Sequence, residues 1–169
     1  ISAFHSRFGA LPVIRAMPNT PAAVGRGITA IVGNAQAGED HLALAEALLS
    51  AVGEVVRLER ESQMDAVTGT SGSGPAYVFH MVEALAAAAE EQGLAPDLAM
   101  RLARATVSGA GALLDASDES AAQLRVNVTS PQGTTAAGLS VLMADPGGLT
   151  QLMTRTVEAA AARSRALGG

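Results

Sequence analysis

From Glu61 to Leu167 the sequence carries one helical pattern after another and no strand-like run. A stretch of this length without strands has to fold as packed helices. "GPAYVFHMVEALAAAAEEQG" opens with Pro75 near the first helical position and stops at Gly93. Its apolar face is Val78, Met81, Val82, Leu85 and Ala89, and His80, Glu83 and Glu90 form a thin polar stripe. "PDLAMRLARATVSGAGALL" starts at Pro96 and carries Ala105, Ser108, Gly109 and Gly111. Glycine inside a helix costs about 1 kcal/mol relative to alanine, so this run predicts close approach of another helix. A short helix around Ala121 to Asn127, a helix from about Thr135 to Met143, a "DPGG" break and a final helix from about Leu149 to Leu167 complete the series.

Before Glu59 the pattern differs. Strand-like runs are expected at Pro12 to Ala16, Gly27 to Val32 and Glu54 to Leu58. A helix from about Glu39 to Ala51, ended by Gly53, separates the last two. Alternation of strand and helix reads as the tail of an α/β domain. The boundary is expected near Arg57 to Glu61, with no internal repeat and no low-complexity linker.

Charge narrows the partners. Only 16% of the 169 residues are charged, against a usual share of about 25%, which predicts a subunit interface. The net charge of −5 without a basic cluster argues against nucleic-acid and anionic-membrane binding. There is no cysteine, so disulfide and thiolate chemistry are excluded, and all eleven cations are arginine, so no Schiff-base or Walker lysine exists. No run of about 18 strongly apolar residues suggests a membrane span, and no secretory leader is evident. The opening "ISAFHSRFGALPVIRAMPNTP" reads as the middle of a longer protein whose N-terminal part is missing.

Several motifs carry possible chemistry. Gly25 to Ala30 spells G-x-G-x-x-A, but a Pro-rich turn precedes it and a strand follows, so it is a turn and not a dinucleotide fingerprint. His5, His41 and His80 are scattered without metal-ligand spacing, and no metal site is expected. "TSGSGPAY" (Thr70 to Tyr77) reads as a Gly/Ser loop entering a helix, either offering N–H groups to an anion or merely capped by Ser73. "VTSPQGTT" is richer. Gly133 permits close backbone approach, and Thr134 and Thr135 start a helix whose N–H groups suit a small carboxylate. A capped turn explains much of the same pattern.

"VTSPQGTTAAGL" closely resembles the signature of pyrroline-5-carboxylate reductases, which normally reads like V-T-S-P-G-G-T-T-x-A-x-L. "MDAVTGTSGSGPAYVF" (Met64 to Phe79) and "RAMPNTPAAVGRGITAI" (Arg15 to Ile31) resemble two further blocks of that family, in its order and spacing. One departure stands out: Gln132 occupies a position where the family usually has glycine. If that position needs φ > 0, glutamine is strained there.

The resemblance implies a mainly α chain: the C-terminal strands of a Rossmann domain (residues 1–58), then an all-helical dimerisation and substrate-binding domain (residues 59–169). It implies reduction of 1-pyrroline-5-carboxylate to L-proline by hydride transfer from NADPH or NADH, the last step of proline synthesis, in a cytoplasmic homodimer or larger oligomer. Thr135 would hydrogen-bond the ring nitrogen. Ser130, Gly133 and Thr134 would hold the carboxylate, with Glu61 as an acidic residue at the substrate. Asn127 would meet the cofactor near its nicotinamide end, and Met17, Pro18 and Asn19 would line the nicotinamide side. Water or substrate would supply the proton, since the turn has no strong general base. The chain alone is expected to be inactive. The competing expectation is a non-catalytic helical dimerisation or interaction module derived from the same fold.

Overall fold

The computed structural model describes Ile1 and residues 11–168. Strands β1 (Ile14–Met17), β2 (Gly27–Gly33) and β3 (Gly53–Arg57) form one sheet in the order β1-β2-β3. β1 runs antiparallel to β2, with Ile14 opposite Gly33 and Met17 opposite Ala30. β2 runs parallel to β3, with Gly27 opposite Gly53 and Ile31 opposite Arg57. A parallel pair needs a crossover, and helix α1 (Glu39–Leu49) supplies it. Each element falls within a few residues of its expected place.

Two features seat α1. The ring Nδ1 of His41 accepts the Gly38 N–H at 3.2 Å, which gives this histidine a local capping role. At the far side Arg57 reaches back from β3 to Glu39 and Glu46, at 2.6 and 2.7 Å. The middle of β2 is the sheet's core: Thr29, Ala30, Ile31 and Val32 are all buried. A cavity of 390 Å³ lies between the apolar face of Ile28, Ala30, Val56 and Leu58 and the chain around Ala66 to Ser71.

The segment after β3 departs from expectation. Instead of a Gly/Ser loop, α2 (Met64–Val67) runs on into a wide π-helical turn, Thr68–Gly72. Thr68 Oγ1 donates to the Met64 carbonyl at 2.9 Å and Ser71 Oγ to the Val67 carbonyl at 3.2 Å. The Ser73 N–H is spent on the Thr68 carbonyl at 2.8 Å, so this stretch is built into the helix and does not present a row of amides to an anion. The turn is held by distant residues. A Cβ on Gly69 would stand 2.9 Å from the Val157 carbonyl oxygen and 3.2 Å from Ala161 N. Asp65 Oδ1 accepts from Ser164 Oγ at 2.6 Å. Met64, at the start of α2, is fully buried.

The remaining helices are α3 (Gly74–Glu91), α4 (Pro96–Ala116), α5 (Ala121–Asn127), α6 (Thr134–Leu142) and α7 (Leu149–Gly168). The chain divides into two compact units, Ile1–Pro75 with Arg155–Gly169, and Ala76–Thr154. The core of the second unit consists of Ala86 on α3 with Ala99 and Ala103 on α4, flanked by Val82 and Ala89. Three alanines bury little. Much of the apolar face read from the sequence stays open, including Val78, Met81 and Leu85, with Phe79 63% and Val141 72% exposed. Around Gly109 and Gly111 there is open space where a Cβ would point. Exposed apolar surface on this scale marks a surface for another protein.

Two of the three histidines, His41 and His80, are described. His80 pairs with Glu83 on an exposed helix face at 2.9 Å, and His5 lies outside the described residues. Among the described residues no three His, Asp or Glu side chains cluster as a metal needs, and no helix is long and apolar enough to cross a membrane.

Candidate functional site

The turn between α5 and α6 is built from its sequence step by step. Thr129 Oγ1 donates to the Arg125 carbonyl at 2.6 Å and its N–H to the Val126 carbonyl at 3.0 Å. Those two bonds close α5, so the Thr129 hydroxyl is occupied there. The Gly133 N–H then donates to the Ser130 carbonyl at 3.1 Å. Pro131 and Gln132 are the two central residues of that turn, and Gln132 sits at φ 60. A proline followed by a positive-φ residue is the pattern of a type II turn, where glycine or asparagine is the usual second residue. The condition raised by the sequence is therefore met: position 132 has a positive φ and carries a glutamine.

Gly133 is the N-cap of α6, with extended backbone (φ −78, ψ 172) and no side chain capping the helix. A Cβ there would collide with Ser130 Oγ, so a larger residue would require the Ser130 hydroxyl to turn away. The first N–H groups of a helix have no partner inside it. In α6 these belong to Thr134, Thr135 and Ala136, and the N-cap residue makes no side-chain hydrogen bond to them. They stand at the positive end of the helix dipole beside the exposed hydroxyl-bearing residues Ser130, Thr134 and Thr135. This arrangement suits a small carboxylate with a second polar group next to it.

Asn127 ends α5. Its Oδ1 accepts from Gln123 Nε2 at 2.8 Å, and its Nδ2 donates to Glu119 Oε2 at 2.9 Å. Neither Glu119 nor Gln123 was singled out from the sequence. The spacing of four between Gln123 and Asn127 on one helix face was the available signal; Glu119, ahead of the helix, left none.

The other expected site residues belong to the first unit. Glu61 opens a short 3₁₀ turn after β3, Glu61–Gln63. Its Oε1 accepts from the Ile1 amino group at 2.7 Å and from Arg15 Nη1 at 3.0 Å. The Ile1 amino group lowers the Glu61 carboxyl below its usual range, partial burial opposes this, and Arg15 adds to the lowering. Met17 ends β1, and its Cε would stand 2.7 Å from a Cβ placed on Gly72. Asn19 spends both ends of its carboxamide on the fold: Oδ1 accepts the Ile28 N–H at 3.0 Å and Nδ2 donates to the Ser71 carbonyl at 3.2 Å. Pro18 joins the two. None of the expected binding residues lines the 390 Å³ cavity.

Gly25 caps a 3₁₀ turn in left-handed conformation (φ 70), and β2 starts at Gly27. The G-x-G-x-x-A string therefore opens a strand. It cannot present the helix N-terminus that binds a pyrophosphate.

Fold and site together define a strand-bearing α/β portion followed by a helical module with open apolar faces and a glycine-capped helix start. The family model for pyrroline-5-carboxylate reductase dimerisation matches residues 61–167. A pyrroline-5-carboxylate reductase of Synechocystis sp. is 50% identical over 156 residues, covering 92% of this chain and 57% of the relative. A solved pyrroline-5-carboxylate reductase structure from Coxiella burnetii superposes with a TM-score of 0.91 at 38% identity, over 98% of this chain and 61% of that one. A Plasmodium falciparum pyrroline carboxylate reductase, crystallised with NADP bound, superposes at 0.83 with 31% identity, over 100% of this chain and 67% of that one. The chain belongs to the pyrroline-5-carboxylate reductase family. It spans 57% of the length of the Synechocystis relative.

Proposed function

We propose that this chain forms the dimerisation and substrate-binding part of an enzyme that reduces 1-pyrroline-5-carboxylate to L-proline. The observation that carries the proposal is the open N-terminus of α6, capped by Gly133 and flanked by Ser130, Thr134 and Thr135. Its family membership makes the five-membered cyclic imine with one carboxylate the natural ligand for such a cradle.

In this reading the amides at the start of α6 and the Ser130 hydroxyl take the carboxylate. Thr135 hydrogen-bonds the ring nitrogen and fixes which face of the imine is presented, a contribution of position and orientation. NADPH or NADH, when bound, supplies the hydride. Asn127 meets the nicotinamide end. In the first unit Met17 and Pro18, held in place by the Asn19 bridge to Ile28 and Ser71, are the candidates to line a nicotinamide. Glu61, which pairs with Arg15, is the acidic residue that family membership suggests for the substrate. Protonation of the imine comes from water or arrives with the substrate. The open apolar helix faces pair with those of a second copy, so residues 1–58 act as the dinucleotide-domain portion and residues 59–169 as the dimerising one, in a cytoplasmic homodimer.

The test is a hybrid reductase in which this chain replaces the matching part of the Synechocystis relative. Thr135→Ala lowers kcat/KM by roughly tenfold or more, the loss of a hydrogen bond to a charged partner, and Thr135→Ser restores most of it. Equal turnover by the folded Thr135→Ala hybrid would remove Thr135 from the mechanism.

A further inference from the structure

We propose that Glu119 and Gln123 are positioning residues that fix the carboxamide of Asn127 in one rotational state toward the cofactor. The proposal rests on the reading above, in which Asn127 meets the nicotinamide end. Its basis is a local network of side chains. Asn127 Nδ2 donates to Glu119 Oε2 at 2.9 Å, and Asn127 Oδ1 accepts from Gln123 Nε2 at 2.8 Å. Both partners are anchored in turn. The Glu119 N–H donates to Ser117 Oγ at 3.1 Å, and the Gln123 N–H to Ser120 Oγ at 3.2 Å.

The chemistry of the partners decides which way the amide faces. An ionised carboxylate only accepts, so the nitrogen of Asn127 must turn to Glu119. The oxygen then faces Gln123, whose amide nitrogen donates. A free asparagine flips between two nearly equivalent states; this one has a donor-specific contact on one side and an acceptor-specific contact on the other. What remains is one N–H and one carbonyl lone pair, and among the described residues nothing else meets them. A donor and an acceptor side by side match a primary carboxamide, the group that nicotinamide carries. The network is exposed, so each bond is weak alone, and the orientation depends on both.

The experiment has two arms. In the first, the side-chain NH₂ resonances of Asn127 are followed by NMR in this chain itself. Glu119→Ala and Gln123→Ala bring them toward free-amide shifts and speed their proton exchange, while backbone amides of α5 stay in place; Glu119→Gln, which keeps an acceptor oxygen, restores most of the native position. Unchanged Asn127 side-chain resonances in Glu119→Ala would overturn the positioning role. In the second, the hybrid reductase is assayed with NADPH and with its acetylpyridine analogue, which lacks the carboxamide N–H groups. Glu119→Ala raises KM for NADPH roughly three- to tenfold, the range of one hydrogen bond, with kcat nearly unchanged, and narrows the preference over the analogue. In an Asn127→Ala background Glu119→Ala adds nothing; a persisting effect there would overturn the proposal. Unchanged KM in Asn127→Ala would sink the cofactor contact itself, a failure the NMR arm separates from a failure of positioning.

Discussion

The carboxamide of Asn19 ties Ile28 to Ser71, taking the Ile28 N–H at 3.0 Å and giving its own N–H to the Ser71 carbonyl at 3.2 Å. One side chain thereby locks the end of β1 to the start of β2 and to the π-helical turn. Asn19→Ala removes both bonds from a half-buried place and is expected to cost about 1–3 kcal/mol. Asn19→Asp keeps the acceptor for Ile28 but sets oxygen against the Ser71 carbonyl, so it is expected to be no better than alanine. Urea denaturation of the three proteins checks this; an aspartate variant as stable as the native chain would contradict the assigned geometry.

Gly69 is expected to tolerate no side chain. Its Cβ would press on the Val157 carbonyl and Ala161 N of the last helix, which are backbone atoms and cannot swing aside. Overpacking of this kind costs about 1–3 kcal/mol. The thermal midpoint of Gly69→Ala measures it, and a midpoint equal to the native one would show that α7 is not seated against the turn.

The turn ahead of α6 makes opposite demands at neighbouring positions. Gln132 at φ 60 occupies a glycine-favouring place, so Gln132→Gly is expected to stabilise by about 1 kcal/mol. Gly133→Ala drives a Cβ into Ser130 Oγ and is expected to disrupt the cradle. Denaturation midpoints of the two variants should move in opposite directions; movement in the same direction would contradict the turn as described.

Glu61 carries an acid dependence with a definite sign. The Ile1 amino group lowers its folded pKa first, burial works against this, and Arg15 supports it. A carboxyl depressed on folding stabilises the protein above its unfolded pKa of about 4.3, and that contribution fades as pH falls through the folded value. Stability measured from pH 7 to pH 3 should therefore fall less steeply for Glu61→Gln than for the native chain below about pH 4.5. Parallel curves would remove the pairing. In an N-terminally extended protein residue 1 is an amide, and only Arg15's share remains.

Much of this was legible locally. The alternating strands, the proline starts at Pro75 and Pro96 and the stop at Gly93 all declare themselves within a few residues. The mainly helical fold and the family resemblance carried by "VTSPQGTT" were borne out. The π-helical turn was not legible, because its composition is that of a loop and its support comes from Val157, Ala161 and Ser164, about ninety residues further on. The share of Thr129 was also hidden: its hydroxyl closes α5 through Arg125, a backbone contact that the string of four hydroxyls does not announce. Nor does sequence show that Asn19 spends its carboxamide inside the fold or that Glu119 faces Asn127.

The central claim is that this chain supplies the substrate cradle of a pyrroline-5-carboxylate reductase. The hybrid with the N-terminal part of the Synechocystis relative tests it most directly, by following NADPH oxidation and proline formation together. The account predicts turnover that requires 1-pyrroline-5-carboxylate, yields one proline per NADPH consumed and is absent from the 169-residue chain alone. A folded, dimeric hybrid that makes no proline would contradict it.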